Sequence, residues 1–389
     1  MRHPAPRIIH LALTGLAIVS LSGERALAQL AISANDAKVV NVDGKNVVQQ
    51  GAIDTATILD LSTSPPKVIG EVKAPASVVG PPQSVAIAPD ESIALVTAST
   101  KIDPADPKKT ASDNKLTVID LKANPPAVIS TIKGGKQPSG MAINRAGNLA
   151  LVANRADNSV TVLSISGKEV KVVDSVAMGE QVSAVAFTPD GKRALAVKNV
   201  NNKTALLSVD GDKVSYSKYD MLVGLFPYNV GVTPNGKLAL TANNGASGFG
   251  DGNIDTVGVI DMEANPPRVI DEVVVGDAPE GLAISPTGKM AVAVLVRGST
   301  ASKSAFFYTR NGSVAVLAID GKKVKKVGEV EVRGVPEGAV FSPDGKYLYV
   351  GNYMDDDISI LKVSGTKVRN TGKRVELPGH PASMRGVVP

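Results

Sequence analysis

The chain is 389 residues long, carries 42 Lys and Arg against 37 Asp and Glu for a formal net charge of +5, and contains no cysteine. The missing thiols exclude cysteine nucleophiles, Fe–S clusters, Cys-ligated zinc and covalently attached c-type haem. The charge is too mild, and the lysines too scattered, for a nucleic-acid face, which needs a basic block with interleaved aromatics.

Residues 1–28 read as a secretory signal peptide. Arg2 and Arg7 give a positive start, residues 8–21 form a short apolar stretch, and Ala26-Leu27-Ala28 is the small-x-small pattern that signal peptidase accepts. Cleavage is expected before Gln29, with an uncleaved anchor as the alternative. No later segment has the ~20 unbroken apolar residues of a transmembrane helix. The remaining chain, 29–389, is therefore expected to be one domain, periplasmic or secreted and not integral to a membrane. An exported domain without disulfides must rely on a large core. Of the three histidines, His3 and His10 fall in the leader and only His380 remains. That rules out a multi-histidine metal site and leaves a histidine-based triad one residue to draw on.

One unit then recurs along the whole chain. It starts at a proline or polar turn, runs through an alternating apolar strand, turns at a Ser/Thr-Pro-Asp-Gly-Lys type sequence, and continues in a second apolar strand. Copies begin at Gln83, Pro138, Val182, Pro227, Pro279 and Pro336, spaced 44 to 57 residues apart, which is the spacing of propeller blades. Asp-Gly and Asn-Gly supply a positive φ, so each pair of strands is expected to join through a tight two-residue hairpin. The outer half of the unit repeats too. Asp60, Asp120 and Asp261 each open an Asp-apolar-x-x-x-Pro-Pro-x-Val-Ile turn, while Gly167, Gly211, Gly321 and Gly365 mark Gly turns. Seven outer hairpins therefore stand against six inner ones. The C-terminal Gly379-His380-Pro381-Ala-Ser-Met384 resembles Gln137-Pro138-Ser-Gly-Met141 and is expected to supply the missing inner strand, with residues 30–60 supplying the other three strands of the same blade. The fold class expected is all-β: a seven-bladed β-propeller of four-stranded blades, closed by pairing N- and C-terminal strands. Tandem β-sandwiches are the competing architecture, but they do not require one turn chemistry repeated at this spacing. Asp43-Gly44 is an extra turn signal with no place in the repeat.

The strand ends Leu348-Tyr-Val-Gly-Asn352, Leu149-Ala-Leu-Val-Ala-Asn154 and Leu238-Ala-Leu-Thr-Ala-Asn243 resemble the YVTN-repeat family of seven-bladed propellers, over essentially the whole chain after the leader. The family is typically exported and is similar to lactonase-type propellers and to amine-dehydrogenase heavy chains. Relatives of such different activities strengthen the fold more than the function.

With strands lettered A to D outward from the axis, the long connections 37–54, 100–114, 244–253 and 297–311 all join B to C. They share a face with the D–A connections, and extended loops are where binding residues collect. The ligand face is expected there, with Tyr228, Asn229, Glu280, Glu337 and Arg385 at the channel mouth and Asn154, Asn243, Arg297 and Asn352 at the B-strand ends. These groups could equally tie neighbouring blades together around a water-filled channel. Glu280 and Glu337 stand at one position of adjacent blades, both in Pro-Glu-Gly, and are the candidate catalytic or cation-binding pair. Pairing with Arg297 and Arg385 would neutralise them. Asp251, Asn253 and Asp255 resemble the start of a calcium loop, without its glycine and closing glutamate. No cofactor is evident beyond that Ca²⁺ possibility. Asp355-Asp356-Asp357 reads as an exposed turn, and Phe306-Phe307-Tyr308 as a packed loop or an exposed patch.

A non-catalytic exported scaffold binding a protein or small molecule is the favoured function, since no nucleophile motif is present. A lactonase-type hydrolase using the channel carboxylates or a bound cation is the alternative. A subunit of a periplasmic redox complex is a second, and would need a cofactor-bearing partner.

Overall fold

The computed structural model describes residues 29–78, 81–245 and 249–388, together with Met1 and His3. The rest of the expected leader lies outside the described residues. Seven four-stranded antiparallel sheets stand as blades around an axis. Blade 1 takes its strand A from the end of the chain, His380–Gly386, followed outward by Leu30–Asp36, Thr55–Asp60 and Lys67–Lys73. The A strands of blades 2 to 7 follow in chain order as Val85–Ile87, Pro138–Ile143, Ala184–Phe187, Pro227–Val232, Pro279–Ile284 and Pro336–Phe341. Among the described residues no helix is long and apolar enough to cross a membrane.

Burial follows position in the blade. Strand B of blade 3, Leu149–Asn154, is buried at every residue because both of its faces meet neighbouring blades, whereas the outermost strand of blade 1, Lys67–Lys73, is mostly exposed. Leu149 and Leu151 pack with Ala194, Ala196 and Leu207 of blade 4. The small alanines let adjacent sheets approach, and each buried leucine contributes about 1.5–3 kcal/mol.

The turns differ from expectation in one respect. The A–B connections are four-residue loops. Gly191 N donates to Thr188 O at 2.9 Å, Arg193 N donates to Thr188 Oγ1 at 3.2 Å, and Gly191 alone takes a positive φ, of 68°. Pro189 and Asp190 thus fill ordinary β-turn positions, where Pro pre-sets φ. True two-residue loops lie further out, as where Ser166 pairs with Glu169 and Gly167 has φ 58°. Asp43-Gly44, with φ of 48° and 81°, joins a short hairpin, Val39–Val42 with Lys45–Val48, inserted between strands B and C of blade 1.

Blade 2 has no glycine at its A–B turn. Glu91 takes the left-handed seat at φ 55°, and its Oε1 accepts from Gln29 N at 2.6 Å and Leu30 N at 2.7 Å. A strained turn residue therefore ties blade 2 to the first strand of the ring.

Candidate functional site

The residues expected at an open channel mouth are enclosed. Glu280 is 3% exposed, Glu337 0% and Asn229 1%. Burial favours the neutral form of the Glu280 carboxyl and pushes it up to about 8, against the opposing pull of the Arg155 guanidinium. Its Oε2 has no hydrogen-bond partner among the described residues. Arg155 reaches from blade 3 to donate to the Tyr228 hydroxyl at 3.1 Å, and burial pushes that phenol up to about 12. The Tyr228 ring stacks on Phe226 at 6.0 Å between centroids.

Neither arginine expected to neutralise the glutamates forms an ion pair with them. Arg297 begins a short 3-10 helix, Arg297–Thr300, within electrostatic range of Asp277 and Glu329. Arg385 donates from Nη1 to the Met141 carbonyl at 2.6 Å. The charge partner near Glu280 is instead Arg155, whose place in a short B–C turn carried no sequence signal.

The asparagines at the B-strand ends are clamps. Asn154 Nδ2 donates to Ser159 Oγ at 3.1 Å and Thr161 Oγ1 at 2.8 Å on strand C of its own blade. Asn35, Asn243 and Asn352 repeat the pattern with Thr55 and Thr57, with Thr256, and with Asp357 and Ser359. A buried amide so held stabilises the blade by about 1 kcal/mol per bond. The recurring terminal asparagine thus has an architectural use, with Asn154, Asn243 and Asn352 turned to the next strand.

The acidic groups are engaged as well. Asp251 accepts from both the backbone N and the side-chain Nδ2 of Asn253 at 2.9 Å, and Asp255 accepts from Ala278 N at 2.9 Å. Burial, with Asp277 and Asp251 nearby, pushes Asp255 up to about 6. Among the described residues no three His, Asp or Glu side chains are grouped to hold a metal ion. Of the 355–357 segment, read as an exposed turn, only the Asp356 side chain is well exposed. Asp355 meets Arg310 and Arg333, Asp356 meets His380 at 2.5 Å, and the fully buried Asp357 meets Arg333.

Three of the long connections touch one another. Lys303 N donates to Asp43 Oδ1 at 2.7 Å, joining the blade 6 insertion to the blade 1 hairpin, while a Cβ added to Gly252 of blade 5 would meet Phe307 at 2.7 Å. Phe306 packs edge-on against Phe307 at 5.2 Å and remains 93% exposed.

The open space lies at the other end of the channel. A cavity of about 940 Å³ is rimmed by A–B turn residues, Pro89, Pro189, Pro234, Pro286 and Pro343 among them. The inner strands line it with Ile143, Phe187, Val232, Ile284, Phe341 and Val387, while Asp90, Glu91, Lys122 and Arg145 of the turns bring charge to it. Further in stand Gln83, Asn229 and Arg385, whereas Glu280, Glu337 and Tyr228 are not part of the wall. Of the expected ligand residues, the cavity therefore gathers only Asn229 and Arg385.

No family model and no curated protein matches the chain. Solved structures do. A candidate 6-phosphogluconolactonase of Bacteroides fragilis superposes with a TM-score of 0.69 at 16% identity, over 93% of this chain and 98% of that one. The periplasmic gluconolactonase of Pseudomonas aeruginosa gives 0.63 at 18%, over 93% and 99%. Hydrazine synthase of Kuenenia stuttgartiensis gives 0.61 at 18%, over 79% and 90%. The chain shares its fold with lactonase-like seven-bladed propellers. At such identities the likeness speaks for the fold alone.

Proposed function

We propose that the chain is an exported binding module that takes a small ligand into its central channel from the side of the A–B turns. The cavity carries this reading: about 940 Å³, apolar along the inner strands and polar at the floor, in the range of small-molecule sites. The lactonase-type alternative needs a free carboxylate within reach of the substrate. Glu280 and Glu337 stand outside the cavity wall, and the two carboxylates that do line it, Asp90 and Glu91, accept backbone N–H bonds from Ser92 and from Gln29 and Leu30. A neutral fluorescent probe, N-phenyl-1-naphthylamine, is expected to bind the purified protein saturably at one site. Ile284→Trp, which fills the channel, should weaken it at least about tenfold with the thermal midpoint kept, and Phe306→Ala should leave it unchanged. Undiminished binding to Ile284→Trp, or loss in Phe306→Ala, would move the site elsewhere.

Export is supported by the leader pattern and by the setting of Gln29. Processing after Ala28 would free an ammonium 2.6 Å from the Glu91 carboxylate, converting a hydrogen bond into an ion pair. The intact mass of protein recovered from the cell envelope or medium is expected to begin at Gln29. A mass that includes residues 1–28 would contradict this.

A further inference from the structure

We infer that the channel site is selective for an apolar body carrying one carboxylate, with Arg385 as its charge partner. This rests on the channel reading above and deepens it.

The argument starts from strand register. In blade 3, Ala142 of strand A lies opposite Leu151 of strand B. The same place in blades 2, 4, 5, 6 and 7 holds Ala86, Ala186, Gly231, Ala283 and Val340, opposite Leu95, Leu195, Leu240, Val292 and Tyr349. In blade 1 that place is Arg385, opposite Ile32. Six small or apolar residues and one guanidinium thus make up a single level of the ring. One step nearer the A–B turns, the residues are Ile87, Ile143, Phe187, Val232, Ile284 and Phe341, and blade 1 contributes Gly386. The cation therefore sits beneath an apolar collar, in the one blade whose collar position has no side chain to cover it.

Its surroundings leave the charge uncompensated. Among the described residues its one hydrogen bond goes to a neutral carbonyl, Met141 O, and no charged group stands near enough to act on it. Burial draws the guanidinium down to about 10, so it is still charged at neutral pH. Arg385 is half-buried, and a charge withdrawn from water without a counter-ion is costly, so an entering anion relieves that cost. Two more groups of the same wall are incompletely bonded. Asn229 Nδ2 is a donor without an acceptor, and Gln83 Oε1 an acceptor without a donor. A carboxylate satisfies the guanidinium and keeps lone pairs for a further donor of the wall. The collar sets the rest of the ligand. Aliphatic and aromatic side chains favour a hydrocarbon body over a sugar or a peptide, whose polar groups would lose water without replacement.

The test is displacement of N-phenyl-1-naphthylamine at pH 7.5 by dodecanoate, dodecanol and dodecyltrimethylammonium, which share one chain and differ in the head. Dodecanoate is expected to bind wild-type protein about tenfold or more tightly than the other two, the scale of a charge-assisted bond. Arg385→Met should abolish that preference, bringing dodecanoate to the affinity of dodecanol in the same variant, and Arg385→Lys should restore part of it. Equal binding of dodecanoate and dodecanol to wild type would overturn the inference, and so would a preference that survives Arg385→Met. The wild-type comparison decides even if a variant fails to fold. Failure of the probe to bind at all would refute the channel reading itself, and this inference with it.

Discussion

Deletion of residues 380–389 is expected to unfold the whole protein. The segment holds strand A of blade 1, which pairs with Leu30–Asp36 from Ala31 opposite Gly386 to Asp36 opposite His380. Met384 is buried with Ala31, Leu59, Val340, Tyr349 and Ile358, so it belongs to the interface between blades 7 and 1. Ser383 Oγ donates to Pro82 O of blade 2 at 2.8 Å, Arg385 reaches Met141 of blade 3, and His380 meets Asp356 of blade 7. Truncation therefore removes contacts to four blades and leaves the inner edge of Leu30–Asp36 without its partner. Emptying a Met384-sized space alone costs about 2–5 kcal/mol. With the ladder bonds lost as well, the total is comparable to the ~5–15 kcal/mol that holds a domain folded. The truncated chain should lose its cooperative thermal transition and its near-ultraviolet circular dichroism. A transition at the wild-type midpoint would show that the ring closes without this strand.

The second large effect concerns pH. Burial pushes the Glu280 carboxyl up to about 8 in the folded protein, from an ordinary value of 4.5. Between these values the folded state keeps a proton that the unfolded chain releases. Stability should thus fall as pH rises through that window, by up to about 1.4 kcal/mol per unit, and level off above it. Glu280→Gln imitates the protonated form and removes the dependence. Urea unfolding should find the variant matching wild type near pH 5 and more stable by a few kcal/mol near pH 8.5. An unaltered pH slope would mean that Glu280 is already charged in the folded state.

The blades were legible because their signals are local and repeated. Pro-Asp-Gly-Lys fixes a turn wherever it stands, and the resemblance of Pro381-Ala-Ser-Met384 to Pro138-Ser-Gly-Met141 needs only one chain to be noticed. The site was legible in part. A polar residue at a strand end looks alike whether it faces a ligand or the next strand. Asn154 and Asn352 read as rim groups, and only the Ser and Thr placed opposite them on strand C make them clamps. Pro-Glu-Gly at 279–281 and 336–338 looked like a mouth, but enclosure of Glu280 and Glu337 comes from elements far away in sequence. Long loops pointed to one face, while the open cavity follows from small residues such as Ala142, Ala186 and Gly231 on the inner strands. The departure at Arg385 was visible in principle, since it breaks a column of small residues once the copies are aligned.

The most direct test of the account is the structure of the protein with dodecanoate bound. The account places the ligand inside the collar of Ile284, Phe341 and Val232, with its carboxylate on the Arg385 guanidinium. A ligand seated instead among the insertions at 39–48, 249–253 and 297–311 would contradict it.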